Sequence, residues 1–417
     1  LGETERFKMN WNLLSNNEWL ADRQFTTVKN YDALNRITTI HYPTVSDGWK
    51  TIKPTYNRSG ALERVELDGI EFVKEITYDA KGQRQLIAFG NGVMNRYSYD
   101  PTNFRLLRMK AEKYSFSETA TERTYSYLAG TCRQDLGYEY DLNGNILKKQ
   151  NRTPDAGITG TTLGNDALDN EYTYDAISRL LSASGRESTE NSETYRWTDA
   201  PIAGNPNAGN TNSYTRSYEY DKAGNIKKLQ QTGNNAFTRT FNYTTNRLDN
   251  IEVSSVQSSF LYDSKGNLTQ SGESKFYEWN EKDQLVFFKI QSGETPSLYA
   301  HYLYNSSGER VKKIVWDQQG NKEVTVYVDG IFEYRLKQED GEEKEQNIIH
   351  VMDDATRIAQ VRIGERFNDD IGDEITFILD DHLGSSNTRL NDNGNRIDHQ
   401  EYYPFGDTSL RTYNKKR

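Results

Sequence analysis

The heptapeptide YDKAGNI, from Tyr220 to Ile226, places a tyrosine and an aspartate before a glycine-containing turn and ends on an aliphatic residue. Close copies begin at five further pairs, Tyr31-Asp32, Tyr78-Asp79, Tyr140-Asp141, Tyr174-Asp175 and Tyr262-Asp263. Looser copies lie between them, and Tyr56, Tyr78 and Tyr99 are separated by 22 and 21 residues. A unit that recurs at such a period predicts a repeat architecture. The 41-residue step from Tyr99 to Tyr140 predicts either a drifted copy or an insertion.

Each copy predicts a strand, a tight turn and a return strand. Before the tyrosine, aromatic and polar residues alternate, as in Arg216–Tyr220, which is the pattern of a half-buried strand. Asp, Asn and Gly then supply side-chain hydrogen bonds to the backbone and a positive φ, as a hairpin turn requires. We therefore expect Gly144, Gly224, Gly266 and Gly394 at turn positions with positive φ. The predicted fold class is all-β, a row of hairpins that forms a β-solenoid or spiralling sheet.

Composition agrees with this fold and narrows the function. The 417 residues include 28 Tyr and only 4 Met, which suits an extensive sheet that is wet on at least one face. A formal net charge of -10 argues against nucleic acid as a partner, because phosphate binding needs clustered Lys and Arg. No stretch approaches the roughly 18 apolar residues of a membrane span, so we expect no membrane insertion by this chain. Cys132 is the only cysteine, which predicts neither an intrachain disulfide nor a multi-cysteine metal site.

The repeats resemble those of the RHS/YD-repeat superfamily. Near the C-terminus, the segments Asp381-His382-Leu383-Gly384-Ser385 and Tyr403-Pro404-Phe405-Gly406 resemble the start of the RHS-associated core of that superfamily. Within it, Tyr174–Glu187 and Val326–Gly330 look most like the C component of the three-part insecticidal toxin complexes. The resemblance covers nearly the whole chain, with YD repeats in residues 1–328 and the start of the core in residues 329–417.

This resemblance implies part of a hollow shell. In the superfamily, the repeats wind as a continuous β-sheet spiral, and the B and C components of the toxin complexes together enclose a toxic C-terminal polypeptide. We therefore expect a non-enzymatic encapsulating chain of a secreted toxin, without a cofactor, whose partners are a B-type shell component and the enclosed toxin. The family's self-cleaving aspartates lie beyond the last core motif, and this sequence starts without Met and stops at Arg417. We expect it to be a segment of a longer polypeptide and assign no catalytic residue.

Two kinds of site in the sequence could carry other chemistry. The Asp380-Asp381-His382 cluster could ligate a metal or form an acid–base pair, since carboxylate and imidazole suit both tasks. It has no third ligand at metal-site spacing and lies beside a Gly-Ser turn, so we interpret it as structural. The oxygen-rich stretch Asp141–Asn145 lacks the glutamate and helices of an EF-hand and favours a hairpin turn. The stretch Gln338–Gln346 predicts a solvated acidic loop.

A second function class is an extracellular adhesion or carbohydrate-binding protein, either wall-associated or teneurin-like. YD repeats also occur in such proteins, and Tyr and Trp rings suit stacking against sugars. The local resemblance of Tyr174–Glu187 favours the toxin component. The two hypotheses differ in what should follow Arg417 in the parent polypeptide. A toxin component should continue with paired Asp-Pro motifs and a variable tail, whereas an adhesion protein should continue with further extracellular modules.

Overall fold

The computed structural model describes residues 24–43, 45, 48–120, 122–154, 169–188, 211–291, 293, 295–339, 341–353, 356–370 and 373–413. These residues form 30 β-strands and no helix, which confirms the predicted all-β class. All 30 strands are assigned to one sheet. Successive strands pair antiparallel, as β-hairpins do, for example Tyr214–Glu219 with Lys228–Gly233. No helix able to cross a membrane occurs in the described residues.

The strands are short and follow one another closely, as expected of hairpins joined by tight turns. The first fifteen are β1 (Val28–Tyr31), β2 (Ile37–His41), β3 (Thr51–Tyr56), β4 (Leu62–Leu67), β5 (Ile70–Tyr78), β6 (Arg84–Phe89), β7 (Val93–Tyr99), β8 (Leu106–Glu118), β9 (Arg123–Tyr140), β10 (Ile146–Asn151), β11 (Asn170–Tyr174), β12 (Leu180–Ser188), β13 (Thr211–Tyr220), β14 (Ile226–Gly233) and β15 (Phe237–Thr244). The next fifteen are β16 (Arg247–Val253), β17 (Val256–Tyr262), β18 (Leu268–Ser271), β19 (Lys275–Trp279), β20 (Leu285–Ile290), β21 (Leu298–Tyr304), β22 (Arg310–Asp317), β23 (Lys322–Val328), β24 (Phe332–Glu339), β25 (Glu342–Asp353), β26 (Thr356–Gly364), β27 (Ile375–Asp380), β28 (Ser386–Leu390), β29 (Arg396–Tyr402) and β30 (Thr408–Tyr413).

The tyrosine of each repeat marks a bulge where the strand meets its turn. Tyr220 pairs with Ile226 across the turn, and the register shifts between Glu219 and Tyr220. The strand register also shifts directly before Tyr140 and directly before Tyr262, which are likewise the residues paired closest to the turn. A bulge bends the strand and increases its local twist. The heptapeptide therefore encodes both a turn and a bend.

One compact unit comprises Leu1–Ile52, Phe241–His350 and Val361–Asp370. Its core contains Ile314, Trp316 and Val324, against which Tyr299 and Leu336 pack. These side chains come from β21 to β24, and in β22 the buried Ile314 and Trp316 alternate with more exposed residues as the period of a half-buried strand requires. This cluster is thus built from side chains of successive hairpins.

The other compact unit comprises Lys53–Thr240, Val351–Gln360 and Ile371–Arg417. Its core includes the cluster Met109, Leu136 and Tyr138. The predicted boundary between the YD repeats and the core, between residues 328 and 329, does not coincide with a boundary of these compact units and stays a prediction.

Two segments differ from a simple repeat. The 41-residue step between Tyr99 and Tyr140 is filled by the long hairpin β8–β9, whose strands have 13 and 18 residues. The acidic stretch Gln338–Gln346 was expected to be a loop, and that expectation is wrong. It forms the closing end of the β24–β25 hairpin, where Gln338 pairs with Glu343. Glu342 and Glu343 are exposed at this hairpin end, where solvation and strand pairing are compatible.

Candidate functional site

The aspartate of each repeat closes the turn that follows it. In the turn after β13, one carboxylate oxygen of Asp221 accepts the backbone N–H groups of Ala223 and Asn225, both at 2.8 Å. The other oxygen accepts the side-chain amide of Asn225 at 2.9 Å. The hydrogen bonds from Asn225 hold the pKa of Asp221 below its ordinary value, because they favour the charged carboxylate.

The other predicted aspartates take the same role. Those that accept backbone N–H groups of their turn and a side-chain N–H from four residues further on are Asp32, Asp141, Asp175 and Asp263. Asp79 accepts the backbone N–H groups of Lys81 and Gln83, each at 2.8 Å. The carboxylate of the oxygen-rich stretch Asp141–Asn145 is thus engaged by its own turn.

The turn glycines have the predicted backbone conformation. The φ angles of Gly144, Gly224, Gly266 and Gly394 are 99°, 94°, 100° and 68°. An L side chain is strained in this region, and glycine is not. Ser178 takes the corresponding place in the turn after β11 with a φ of 64°, so the turn is formed there without glycine.

Five of the six predicted tyrosines tie their repeat to the preceding one. The Tyr220 hydroxyl donates to the backbone carbonyl of Leu180, at the start of β12. Four more of the predicted tyrosines donate in the same way, Tyr78 to Leu62, Tyr140 to Leu106, Tyr174 to Ile146 and Tyr262 to Leu248. Tyr31, the first of the series, differs in being 52% exposed. Trp279 substitutes for tyrosine and donates its indole N–H to the carbonyl of Leu268 at 2.7 Å.

The DHLGS segment is another repeat turn. Asp381 accepts the backbone N–H groups of Leu383 and Ser385 at 2.9 and 3.0 Å, as the repeat aspartates do. Gly384 has a φ of 76°, and the Leu383 side chain is 79% exposed at the turn. The His382 ring packs against Tyr138, with 4.7 Å between ring centres. No group of three or more His, Cys, Asp or Glu able to hold a metal occurs in the described part of the chain.

The YYPFG segment is also a repeat turn, shifted by one residue from what its sequence suggests. Tyr402, and not Tyr403, donates to a backbone carbonyl, that of Ser386, at 2.7 Å. Tyr403 takes the place of the aspartate, and its backbone N–H donates to the carbonyl of Asp407 at 2.6 Å. Phe405 and Gly406 follow Pro404 with φ angles of 71° and 100°. The spacing from Tyr402 to Thr408 equals that from Tyr220 to Ile226 and would have revealed this copy.

The Tyr403 ring and hydroxyl enter a buried polar network in the second of the two units. The hydroxyl donates to the carboxylate of Glu187 in β12, which also accepts from Gln231 at 2.9 Å. The Arg216 guanidinium lies over the Tyr403 ring, 3.4 Å from its centre. Burial raises the pKa of Glu187 although these neutral donors stabilise its charge. The network joins β12, β13 and β14 to the turn after β29.

A second buried carboxylate, Glu401, lies beside the first. Its oxygens accept from Arg186, with 2.9 Å to Nε, and from the His399 ring at 3.0 Å. Burial acts to raise the pKa of Glu401, but Arg186 and His399 hold it well below its ordinary value. Burial also lowers the pKa of His399. The carboxylates of Glu187 and Glu401 both accept hydrogen bonds from protein donors, an arrangement suited to holding β29 against β12.

Sequence reasoning missed Arg186, Glu187 and Glu401. Arg186 and Glu187 are adjacent charged residues at the end of β12, and adjacent residues of a strand point to opposite faces. With a charge on each face, the sequence alone indicates a polar, solvated strand end. Both are buried because both faces of this strand end are covered. Their partners Glu401 and Tyr403 lie more than 200 positions away, and no local pattern encodes that pairing.

Similarity to known proteins is found over nearly the whole chain. The chain is 30% identical to toxin subunit YenC2 of Yersinia entomophaga over 428 residues, and the match covers 94% of this chain and 41% of that subunit. Toxin subunit YenC1 of the same organism is 28% identical over 415 residues, covering 94% of this chain and 39% of that subunit. These relatives confirm the resemblance of this chain to the C component of Tc toxins. No protein-family profile matches it.

Solved Tc structures contain the fold of this C-component-like chain. A Photorhabdus luminescens Tc holotoxin pore matches 97% of this chain with a TM-score of 0.80 and 25% identity, over 19% of that chain. A TcdB2–TccC3 crystal structure matches 98% with a TM-score of 0.78 and 25% identity, over 20% of that chain. The C-component-like chain spans about two fifths of the length of the curated relatives it matches.

Proposed function

We propose that this chain forms part of the wall of an encapsulating shell in a secreted toxin, and that it acts with a B-type component to enclose a toxic C-terminal polypeptide. The observation that carries the proposal is the similarity of the chain, over 97% of its length, to a Tc holotoxin pore structure. The solved structures named TcdB2–TccC3 support a partnership within a toxin complex.

The repeat contacts suit such a role. A wall that holds a polypeptide needs continuity from one repeat to the next, and the hydroxyls of Tyr174 and Tyr220 each supply a hydrogen bond across such a junction. Repeats that lean on their neighbours gain stability from nearest-neighbour contacts. The buried Arg186–Glu401 pair adds a link between segments that lie far apart in the sequence.

We further propose that this chain is not itself an enzyme. The repeat aspartates cap turns, and the carboxylates of Glu187 and Glu401 are hydrogen-bonded to protein donors that fix them. None of these carboxylates is paired with a base that would activate it as a nucleophile. Incubation of the purified protein with generic esterase, phosphatase and peptidase substrates should give no turnover above that of buffer.

The partnership is tested by co-expressing the natural polypeptide that contains residues 1–417 with a B-type component. We expect the two to co-elute in size-exclusion chromatography and to protect the enclosed toxic polypeptide from added protease. A β-repeat protein of similar size from outside the family, expressed with the same B-type component, is the control. Independent elution combined with full protease sensitivity would refute the encapsulating role.

The adhesion alternative makes the opposite prediction. A wall-associated or teneurin-like protein should bind immobilised glycans and ignore the B-type component. The toxin-subunit relatives do not favour this alternative. A glycan-binding assay on the same purified sample distinguishes the two hypotheses directly.

A further inference from the structure

The long hairpin β8–β9 extends beyond the strands on either side of it. β8 pairs with β7 only up to Lys113, and β9 pairs with β10 only from Leu136 onward. Beyond these points, Tyr114–Glu118 of β8 and Arg123–Tyr127 of β9 pair with each other. No further strand of the described residues pairs with this end of the hairpin, which we call the ribbon.

One face of the ribbon is anchored and the other is open to solvent. Tyr114 is buried in a cluster with Ala88 and Met94, and Tyr125 packs against this cluster. The ring of Phe116 lies on the same face, with 5.1 Å between its centre and that of Tyr125. Because side chains alternate between the faces of a strand, the residues between the aromatic ones lie on the opposite face. These are four exposed hydroxyl residues, Ser115, Ser117, Thr124 and Ser126.

One backbone hydrogen bond fixes which peptide groups of the ribbon point outward. The Thr119 N–H donates to the carbonyl of Glu122 at 2.8 Å, so this pair is hydrogen-bonded across the hairpin. Hydrogen-bonded and non-hydrogen-bonded pairs alternate along antiparallel strands, so every second residue after it directs its N–H and C=O away from the paired strand. Tyr114 agrees with this alternation, because its N–H donates outward to the carbonyl of Gly92 at 3.0 Å.

The outer edge of β9 therefore has free backbone groups. By the same alternation, Arg123, Tyr125 and Tyr127 direct their N–H and C=O groups away from β8. No backbone group within the described residues pairs with them. The bulge Leu128–Thr131, in which Gly130 has a φ of 76°, ends this edge. The result is a free strand edge five residues long.

The composition of this edge suits a second copy of the same chain. Natural proteins protect a free edge with charged side chains or proline, and the nine residues Thr124–Cys132 contain neither. Arg123, at the start of the edge, is paired with Glu118 of its own ribbon at 2.8 Å. Two copies with a net charge of -10 each repel one another, and an uncharged edge lets them meet without a local repulsion.

We propose that two copies of this protein associate through the edge of β9, pairing antiparallel about a two-fold axis at Tyr125. In this register, Arg123 lies opposite Tyr127 of the second copy, and Thr124 lies opposite Ser126 of the second copy. All outward backbone groups of both edges are then hydrogen-bonded, and no two like charges are opposite each other. The same surface serves both copies, so the contact closes at a dimer. This inference goes beyond the encapsulating function and does not rest on it.

Sedimentation equilibrium of the purified protein under reducing conditions tests the dimer. Five residues from each copy make a small interface, so we expect a weak dimer that dissociates on dilution over about a hundredfold range of concentration. The double variant Thr124→Lys with Ser126→Lys places lysines directly opposite each other across the axis and should weaken the dimer about tenfold or more. Ser115→Lys with Ser117→Lys adds the same charge to the same face, but on β8, and should leave the dimer unchanged.

Disulfide trapping tests the register and does not depend on the lysine variants. In a Cys132→Ser background, a mixture of the Thr124→Cys and Ser126→Cys proteins should form a covalent dimer on mild oxidation, because directly opposite residues of a non-hydrogen-bonded pair bring their Cβ atoms close together. Either protein alone should form it much more slowly. A wild-type protein that stays monomeric at every concentration, equal weakening by both lysine pairs, or trapping no faster in the mixture than in either protein alone overturns the proposal.

Discussion

The hydroxyl of Tyr220 donates a 2.8 Å hydrogen bond to the carbonyl oxygen of Leu180, which opens β12 in the preceding repeat. The same residue begins the Tyr-Asp pair whose aspartate closes the next turn. One dipeptide therefore performs two tasks, the tyrosine fixing the junction between repeats and the aspartate fixing the turn. This explains why the pair recurs together, since a turn without its junction would leave adjacent hairpins free to slide.

Removing the Tyr220 hydroxyl should weaken one junction. We expect Tyr220→Phe to lower the free energy of unfolding by about 1 kcal/mol, because a net hydrogen bond contributes about that much and the ring is retained. Urea-induced unfolding followed by intrinsic fluorescence measures it. Tyr127→Phe is the matched control, since the Tyr127 side chain is 57% exposed, and it should unfold like the wild type. Equal losses in both variants would contradict the junction role.

The charge on the turn aspartates should make stability depend on pH. The folded-state pKa of Asp221 is lowered, so its contribution is fully present above the ordinary aspartate pKa and is lost as the pH falls through the lowered value. Asp221→Asn should reduce this acid sensitivity while keeping the turn, because Asn280 already caps an equivalent turn through the N–H groups of Lys282 and Gln284. Thermal melting midpoints between pH 7 and pH 3 check it. Asn280→Asp should add acid sensitivity, and no change in either variant would speak against the assignment.

Two glycines differ in how much space surrounds them. At Gly224 an added Cβ meets nothing within 4 Å, so Gly224→Ala should destabilise only through its φ of 94°, by about 1–2 kcal/mol. At Gly394 the added Cβ would lie 2.7 Å from Val93 Cγ2 and 3.0 Å from the Asn91 carbonyl oxygen. Gly394→Ala should therefore lower the urea midpoint more than Gly224→Ala does. The reverse order would show that crowding at Gly394 is relieved by local movement.

These turns were predictable from the sequence, whereas the buried network was not. Asp221, Gly224 and Asn225 lie within five residues of one another, and their roles follow from side-chain reach and positive φ alone. Glu401 acquires its partner Arg186 only when β29 and β12 are brought together, 215 positions apart. Tyr403 likewise meets its acceptor Glu187 only in the folded chain, because the two residues are 216 positions apart in the sequence.

Breaking the buried pair should be far more damaging than breaking an exposed one. We expect Glu401→Gln to lower the free energy of unfolding by about 3–5 kcal/mol, because it leaves the Arg186 charge buried and uncompensated. Glu219→Gln breaks the exposed Lys228–Glu219 pair and should change stability by less than about 1 kcal/mol. Urea unfolding of both variants measures the difference. The double variant Arg186→Met with Glu401→Leu should recover part of the loss, and failure to recover any would mean that the network also contributes packing that the apolar pair cannot replace.

His301 should give the protein a second source of acid sensitivity. Its ring packs against Phe287 and Trp316, with centres 4.7 and 5.5 Å apart, and burial lowers the pKa of His301 to about 4. An unfolded histidine has a pKa of about 6.5, so between these values the unfolded state binds a proton that the folded state does not. Stability should therefore fall with decreasing pH in this window, by at most about 1.4 kcal/mol per pH unit from this residue. NMR titration of the His301 ring gives the folded pKa, and His301→Leu should flatten the pH dependence of the urea midpoint between pH 6.5 and pH 4. A measured pKa near 6.5, with an unchanged slope in the variant, would show that the ring is hydrated in the folded protein.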